Sequence, residues 1–410
     1  MSFQVLIIGG GIGGLCLAQG LKKAGIDVAV YERDRTRAER LQGYRVHIDP
    51  DGSRALHSCL PPELFDAFVA TCGKPGRGFR VLTHALREVM RSADDGPQDP
   101  IARHHSASRI TLRQVLLAGM DGLVHFDKKF THYTDAPDGR VIAHFEDGTS
   151  AASDLLVAAD GVNSSVRQQF LPHAQVVDTG MTGIAAKVPL ASEFDRFEGA
   201  NMILGTQSDG MFIARQEFEA TRQAALQGIG GNDGAAALHP GLLFDNTRSY
   251  IFWAYLTRRE NYAQAIGDGL RPEVLLEIVS GRTSEWHPEL RQLMAKSDPD
   301  TVAVWNIRTS VPLEHWETRN ITLLGDAIHS MTPARGIGAN IALRDADLLR
   351  RKLIAVGQGS APLLGAVQEY ELEMLSYAFQ AVRESLGALH GFVQTDAGKS
   401  AANAGYNRGL

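Results

Sequence analysis

Six residues, Gly9-Gly10-Gly11-Ile12-Gly13-Gly14, stand between an apolar run, Val5 to Ile8, and a stretch in which Leu15, Leu17, Ala18, Leu21 and Ala24 recur at helical spacing. A second apolar run, Val28 to Tyr31, follows Gly25, which is placed to stop that helix. Strand, glycine turn, helix, strand leaves few folds open: two parallel strands joined by a right-handed crossover, with the turn at the helix N-terminus. Missing side chains there permit a tight turn, close approach of a pyrophosphate to backbone, and tight packing of helix on strand. Glu32, 18 residues beyond Gly14 and at the end of the second strand, offers a carboxylate to a ribose hydroxyl. The pattern predicts an ADP-containing cofactor held by Gly9, Gly11, Ile12, Gly13, Gly14, Glu32 and the adjacent Arg33, and leaves NAD and FAD both open.

Two later segments narrow that choice. Asp160-Gly161-Val162-Asn163-Ser164-Ser165-Val166-Arg167 comes directly after the apolar strand Leu155 to Ala159, and Gly325-Asp326 directly after Ile321 to Leu324. With three motifs in this order, nearly the whole chain resembles the class A flavoprotein aromatic hydroxylases of the p-hydroxybenzoate hydroxylase type. The resemblance implies an α/β fold: a Rossmann-like FAD-binding domain (GR2-type), an inserted, mostly antiparallel β-sheet substrate domain, and C-terminal helices. The expected division is 1–72, 102–178 and 313–357 for FAD, 73–101 and 179–312 for substrate, and 358–410 for a helical segment.

The same resemblance assigns roles. Asp160 and Arg167 help organise the FAD and nicotinamide sites, and Asp326 binds the ribityl chain. Arg113, in a predicted helix from Thr111 to Gly119, matches an arginine near the FAD pyrophosphate, a charge that suits a guanidinium. Met331 to Gly338 matches a loop beside the flavin pyrimidine ring, making Pro333, Gly336, Ile337 and Gly338 cofactor contacts through backbone donors at a helix N-terminus. Ile337 replaces a polar residue common in relatives; backbone binding tolerates the change. Arg45, in Gly43-Tyr44-Arg45-Val46-His47, is either a residue near the flavin or half of a surface ion pair. His329 is either a general base or a bystander of the Gly-Asp motif.

Substrate candidates are Phe212, Trp253, Tyr255 and Trp305 on predicted strands, with Met331 and Pro333 on the loop. Alternation along strands sends half of such residues into ordinary core packing.

Composition bounds the rest. The net charge of −6 with no Lys/Arg-rich run disfavours nucleic acid, and 44% hydrophobic with 21% charged residues is ordinary for a globular chain. Cys16, Cys59 and Cys72 form no Cys-x-x-Cys pair, so neither a zinc site nor a disulfide framework is indicated. No metal site, no membrane span and a cytoplasmic, monomeric or homodimeric protein are expected. A Gly-rich segment, Gly228 to Gly234, lacks both the preceding strand and the lysine of a P-loop and reads as a surface loop.

The expected chemistry is FAD-dependent monooxygenation: NADPH or NADH reduces FAD, O2 forms a C4a-hydroperoxyflavin, and one oxygen atom passes to an aromatic or polyketide-like small molecule by hydroxylation or epoxidation. A dehydrogenase or cyclase on the same scaffold is the alternative.

Overall fold

The computed structural model describes residues 3–36, 44–74, 76, 78–92, 99–218, 249–267 and 269–394. The Gly228 to Gly234 segment, the start of the extended stretch expected from Leu41, and 395–410 of the expected helical segment lie outside these residues.

The glycine pattern produces the expected unit. Gln4–Ile8 and Asp27–Tyr31 pair in parallel across the helix Ile12–Lys23. Leu155–Ala158 and Ile321–Leu323 extend the sheet on one side and Val124–His125 on the other, all in parallel. Val5, Ile7, Leu155, Leu156 and Val157 are fully buried, as parallel strands covered on both faces must be. One covering layer consists of Ile12–Lys23 and the helix Gly338–Gly357, whose buried stripe includes Leu343, Ala346, Leu349 and Leu353.

A seven-stranded sheet forms the second body, in the order Ala303–Ser310, Val176–Pro189, Tyr250–Arg258, Asp209–Gln216, Ala200–Leu204, Phe79–Thr83, Glu88–Ser92. Every pairing is antiparallel except Ala200–Leu204 with Phe79–Thr83. One face packs on the helices Pro272–Arg282 and Pro288–Ala295 through Leu275, Val279, Leu290 and Leu293. Proline at the first position starts both helices. Over the other face runs the strand Arg45–Ile48, paired with His105–Ser108.

A long C-terminal helix, Leu363–Gln394, joins the bodies. Tyr370 donates to Leu323 O (2.8 Å) at the parallel sheet, while Leu389 packs with Met181 and Ile307 of the large sheet. No helix among the described residues is long and apolar enough to cross a membrane.

Candidate functional site

All three motifs meet at the carboxyl ends of the parallel strands, where open α/β sheets bind ligands. Gly9 has a φ of +109°, and a Cβ on it would lie 2.3 Å from Ala159 O, immediately before Asp160. A Cβ on Gly14 would lie 2.3 Å from Gly9 O. Both glycines are therefore required by the protein's own packing. Gly11 is different: its Cβ position meets no protein atom within 4 Å. It is also the helix N-cap, with no side chain capping it. The turn thus presents open space at a helix N-terminus, a setting that suits a pyrophosphate.

Glu32 closes the turn from behind. Its Oε2 accepts from Gly10 N (2.6 Å) and its Oε1 from Asp34 N (2.9 Å), which fixes the carboxylate at the strand end. Arg113 lies in the helix Arg109–Leu117 and donates through Nε to Gly10 O (3.0 Å), with Asp34 Oδ2 at 3.3 Å and Glu32 Oε2 at 3.9 Å. Sequence reasoning missed Asp34, whose carboxylate compensates that guanidinium. Arg33 is exposed beside them.

Asp160 Oδ2 accepts from Ser165 N (2.9 Å) and Val166 N (3.4 Å), capping the short helix Ser165–Phe170. Its Oδ1 is buried without a hydrogen-bond partner, and burial raises the carboxyl above its usual range. An orphaned acceptor beside the glycine turn matches a ligand hydroxyl or amide. Arg167 is buried and donates to Ala327 O (2.8 Å) and Val162 O (2.9 Å), so it ties the Asp-Gly loop to the Gly-Asp loop. Asp326 begins a four-residue helix, Asp326–His329, and is exposed with no protein hydrogen bond to its carboxylate among the described residues.

His329 faces the other way. It is fully buried, and its Nε2 lies 2.6 Å from Asp345 Oδ2. The same oxygen accepts from Gly325 N (2.9 Å), and Tyr377 OH donates to Oδ1 (2.6 Å). Burial lowers the imidazole's proton affinity, but the charge and hydrogen bond of Asp345 outweigh it and the pKa is raised. The general-base reading of His329 is corrected on this ground: the ring is sealed inside the protein, where no substrate proton reaches it. Its geometry instead braces the Gly-Asp turn.

The loop that follows spans the cleft. Pro333–Arg335 is one 3-10 turn, Gly336 adopts a left-handed φ of +65°, and Ile337 is the N-cap of Gly338–Gly357 without a side-chain cap. Asn340 stitches that helix start to the Arg45–Ile48 strand, donating to His47 O (3.0 Å) and accepting from Asp49 N (3.0 Å). Ala334, on the other side, packs on the same Met181–Ile307–Leu389 cluster as Leu256 of the large sheet. Met331, Pro333, Gly336, Ile337 and Gly338 all retain solvent exposure.

Strand parity decides which aromatics face this loop. Gly183, Ala185, Phe252, Ala254, Phe212 and Trp305 share one face by register. Phe212 and Trp305 are only partly buried there, and Tyr44 seals the face from the Arg45 strand, its ring 4.7 Å from Phe252 and 5.1 Å from Trp305. Trp253 and Tyr255 point to the opposite face, and their assignment as substrate contacts is corrected. Trp253 Nε1 donates to Ser297 Oγ (2.9 Å), and Tyr255 OH donates to Asp209 Oδ2 (2.7 Å) while accepting from Arg282 Nε (2.7 Å). Both are fully buried in the helix-backed core, where polar tips need such partners. Tyr44 and Phe252 were missed; the motif around Arg45 marked the position of the first, and nothing in the sequence marked the parity of the second.

A family model described as an FAD binding domain matches residues 123–385, and one described as an NAD(P)-binding Rossmann-like domain matches residues 7–65. The chain is 31% identical to the dual O-methyltransferase/FAD-dependent monooxygenase CTB3 of Cercospora beticola, over 96% of this chain and 47% of that protein. It spans about half the length, or less, of such dual-function fungal relatives. Among solved structures, one described as an FAD containing monooxygenase from Photorhabdus luminescens shares 32% identity with a TM-score of 0.82, covering 96% of this chain and 99% of that one. HpxO of Klebsiella pneumoniae, complexed with FAD and uric acid, shares the fold at 23% identity and a TM-score of 0.75, covering 96% of this chain and 90% of that one.

Proposed function

Because this chain belongs to the p-hydroxybenzoate hydroxylase-like family of FAD-binding flavoproteins, we propose that it is an NAD(P)H-dependent monooxygenase that inserts one oxygen atom from O2 into an aromatic or polyketide-like small molecule. The observation that carries this reading is the sheet face of Phe212, Phe252, Trp305 and Tyr44, lined between by Ala185, Ala254 and Gly183, opening toward the Met331–Gly338 loop. Phe212, Ala254 and Trp305 on this face stay partly exposed, and the aromatics supply apolar walls for a flat ring. The relatives named as monooxygenases support the same reading.

In this proposal segments 1–72, 102–178 and 313–357 hold the cofactor, and 73–101 with 179–312 roof the substrate. The Gly9–Gly14 turn takes the pyrophosphate, Glu32 the adenosine ribose and Asp326 the ribityl chain; Asp160 and the 333–338 backbone complete the cradle. FAD bound there supplies the electron and oxygen chemistry that no side chain can. The protein's part is to position the substrate ring against the cofactor and to exclude water from the reacting atoms. Backbone N–H groups at the start of Gly338–Gly357, which has no side-chain cap, would offer positive potential to a bound flavin. Tyr44 donates its hydroxyl to Thr301 O (2.7 Å), and burial pushes its pKa up to about 12, so it stays protonated and serves as wall rather than base.

Oxygen uptake and NAD(P)H oxidation, followed together while a panel of phenols and polyketide aromatics is supplied, test the proposal. Substrate-dependent consumption of both reagents is expected. NAD(P)H oxidation without any dependence on a substrate across the panel would argue against it.

A further inference from the structure

The C-terminal helix Leu363–Gln394 sets three hydroxyls, about two turns apart, against the segments that carry the motifs. Tyr370 donates to Leu323 O (2.8 Å) at the end of a parallel strand. Tyr377 donates to Asp345 Oδ1 (2.6 Å), on the carboxylate that also receives Gly325 N. Ser385 is the third, and it meets the Met331–Gly338 loop at Thr332. Ser385 Oγ donates to Thr332 O (2.6 Å), while Thr332 Oγ1 donates to Ser385 O (2.8 Å) and lies 2.7 Å from Ser385 Oγ. Both residues are buried, Ser385 completely, and beside them Arg335 of the loop pairs with Glu384 of the helix.

Packing alone does not call for a hydroxyl at this position. Ala378, Val382, Ser385 and Leu389 recur at helical spacing and are all buried, so Ser385 is the polar member of an apolar stripe. A buried hydroxyl is unfavourable unless bonded, and alanine would fill the stripe without that requirement. What the serine adds is a fixed direction for the Thr332 carbonyl. Pro333 follows directly, and its ring locks φ and restricts the residue before it, so the direction set at Thr332 carries into the Pro333–Arg335 turn. The rest of the loop is anchored on both sides. Ser310 N of the large sheet donates to Ser330 O (2.7 Å) at the entry. Asn340 ties the exit to the strand Arg45–Ile48, itself held to its neighbour by Arg45 Nε donating to Ser106 Oγ (2.5 Å). Between these anchors the Ser385–Thr332 clamp fixes the turn that leads into the helix start at Gly338.

We infer that Ser385 is a positioning residue: through Thr332 it aims the backbone N–H groups at the start of Gly338–Gly357 toward the flavin, and so favours the negatively charged reduced cofactor over the oxidised one. The inference rests on reading the Met331–Gly338 loop as the flavin's neighbour, but its test needs no turnover. Donors fixed in place before charge develops stabilise it more than donors that must first reorient. A loop without the clamp still covers the cofactor, yet it meets the added charge with dipoles that have to reorganise. Loss of the clamp therefore weakens binding of reduced FAD more than of oxidised FAD and lowers the midpoint potential. A hydroxyl that served only the packing of helix on loop would change stability and leave that ratio alone.

The experiment measures the midpoint potential of the FAD-loaded full chain by equilibration with redox dyes, with thermal unfolding recorded beside it. In S385A the ratio of reduced to oxidised FAD binding is expected to fall about three- to tenfold, the size of one hydrogen bond. A tenfold fall equals a potential lower by about 30 mV for a two-electron couple. T332V breaks the clamp from the loop side and should act in the same direction, which keeps the test open if S385A fails to retain FAD. T332S keeps the hydroxyl, loses only a methyl, and should keep the wild-type potential. I337E places a carboxylate on the loop itself and should lower the potential whatever the clamp does. An unchanged potential in S385A and T332V beside a lowered one in I337E would overturn the inference alone, as would T332S falling as far as T332V. Unchanged potentials in all of them would overturn the placement of the loop beside the flavin, and the inference with it.

Discussion

At the scale of single residues, Gly11 and Gly14 answer the same substitution in opposite ways. A methyl at position 14 would sit 2.3 Å from Gly9 O, so G14A should lower the unfolding free energy of the FAD-free chain by about 1–3 kcal/mol. A methyl at position 11 meets nothing in the protein, so G11A should leave the FAD-free chain as stable as wild type yet weaken FAD binding about tenfold or more. Urea melts of the FAD-free proteins and fluorescence titrations with FAD read the two effects; unchanged FAD affinity in G11A would contradict the cradle. Asp326 is exposed and its carboxylate accepts no hydrogen bond among the described residues, so D326A should fold normally and lose flavin on gel filtration. Full flavin occupancy would contradict its placement. The glycines were legible in sequence because backbone geometry dictates them, whereas Asp326 was marked only by the family resemblance. Trp253 and Tyr255 were not: composition shows an aromatic strand, but which parity faces the cleft depends on the register of both neighbours. Y255F should strand Asp209 and Arg282, costing about 1–3 kcal/mol of stability, with no change in ligand-induced flavin spectra.

Elements link the motifs. Gly325, at the Gly-Asp turn, and Gly338–Gly357 meet through Asp345, which accepts from Gly325 N and pairs with His329. Asp345 falls in one stripe with Ile341, Leu348 and Leu349, a spacing that marks it as inward-facing. Because the folded pKa of His329 is raised, the folded state binds the proton more tightly than the unfolded chain. The pair's contribution is complete below the unfolded value near pH 6.5 and is lost as pH rises through the higher folded value. Denaturant melts from pH 6 to 9 should show wild type losing stability relative to H329Q; parallel curves would refute the charged pair. Sequence periodicity located Gln4–Ile8, Asp27–Tyr31, Leu155–Ala158 and Ile321–Leu323 of the parallel sheet to within a residue. It missed Val176–Pro189, an inner strand of the large sheet, because Gly180, Gly183, Ala185 and Ala186 lack the β-branched and aromatic signal.

For the whole molecule, two sheets and a joining helix place the Gly9–Gly14 turn at one end of a cleft and an aromatic wall along it. The parallel sheet and its cofactor were readable because three motifs fall at consecutive strand ends. The shape of the substrate site was not, since it arises from contacts between Tyr44, near the start of the chain, and Phe252 and Trp305, more than half the chain away. Under the proposed function, oxygen transfer takes place at that wall. The most direct measurement is mass spectrometry of product formed under isotopically heavy O2 by the FAD-loaded chain with NAD(P)H and an accepted aromatic substrate. The expected product carries one heavy oxygen atom from O2. A product formed with FAD turnover but carrying oxygen only from water, or none added, would contradict the assignment.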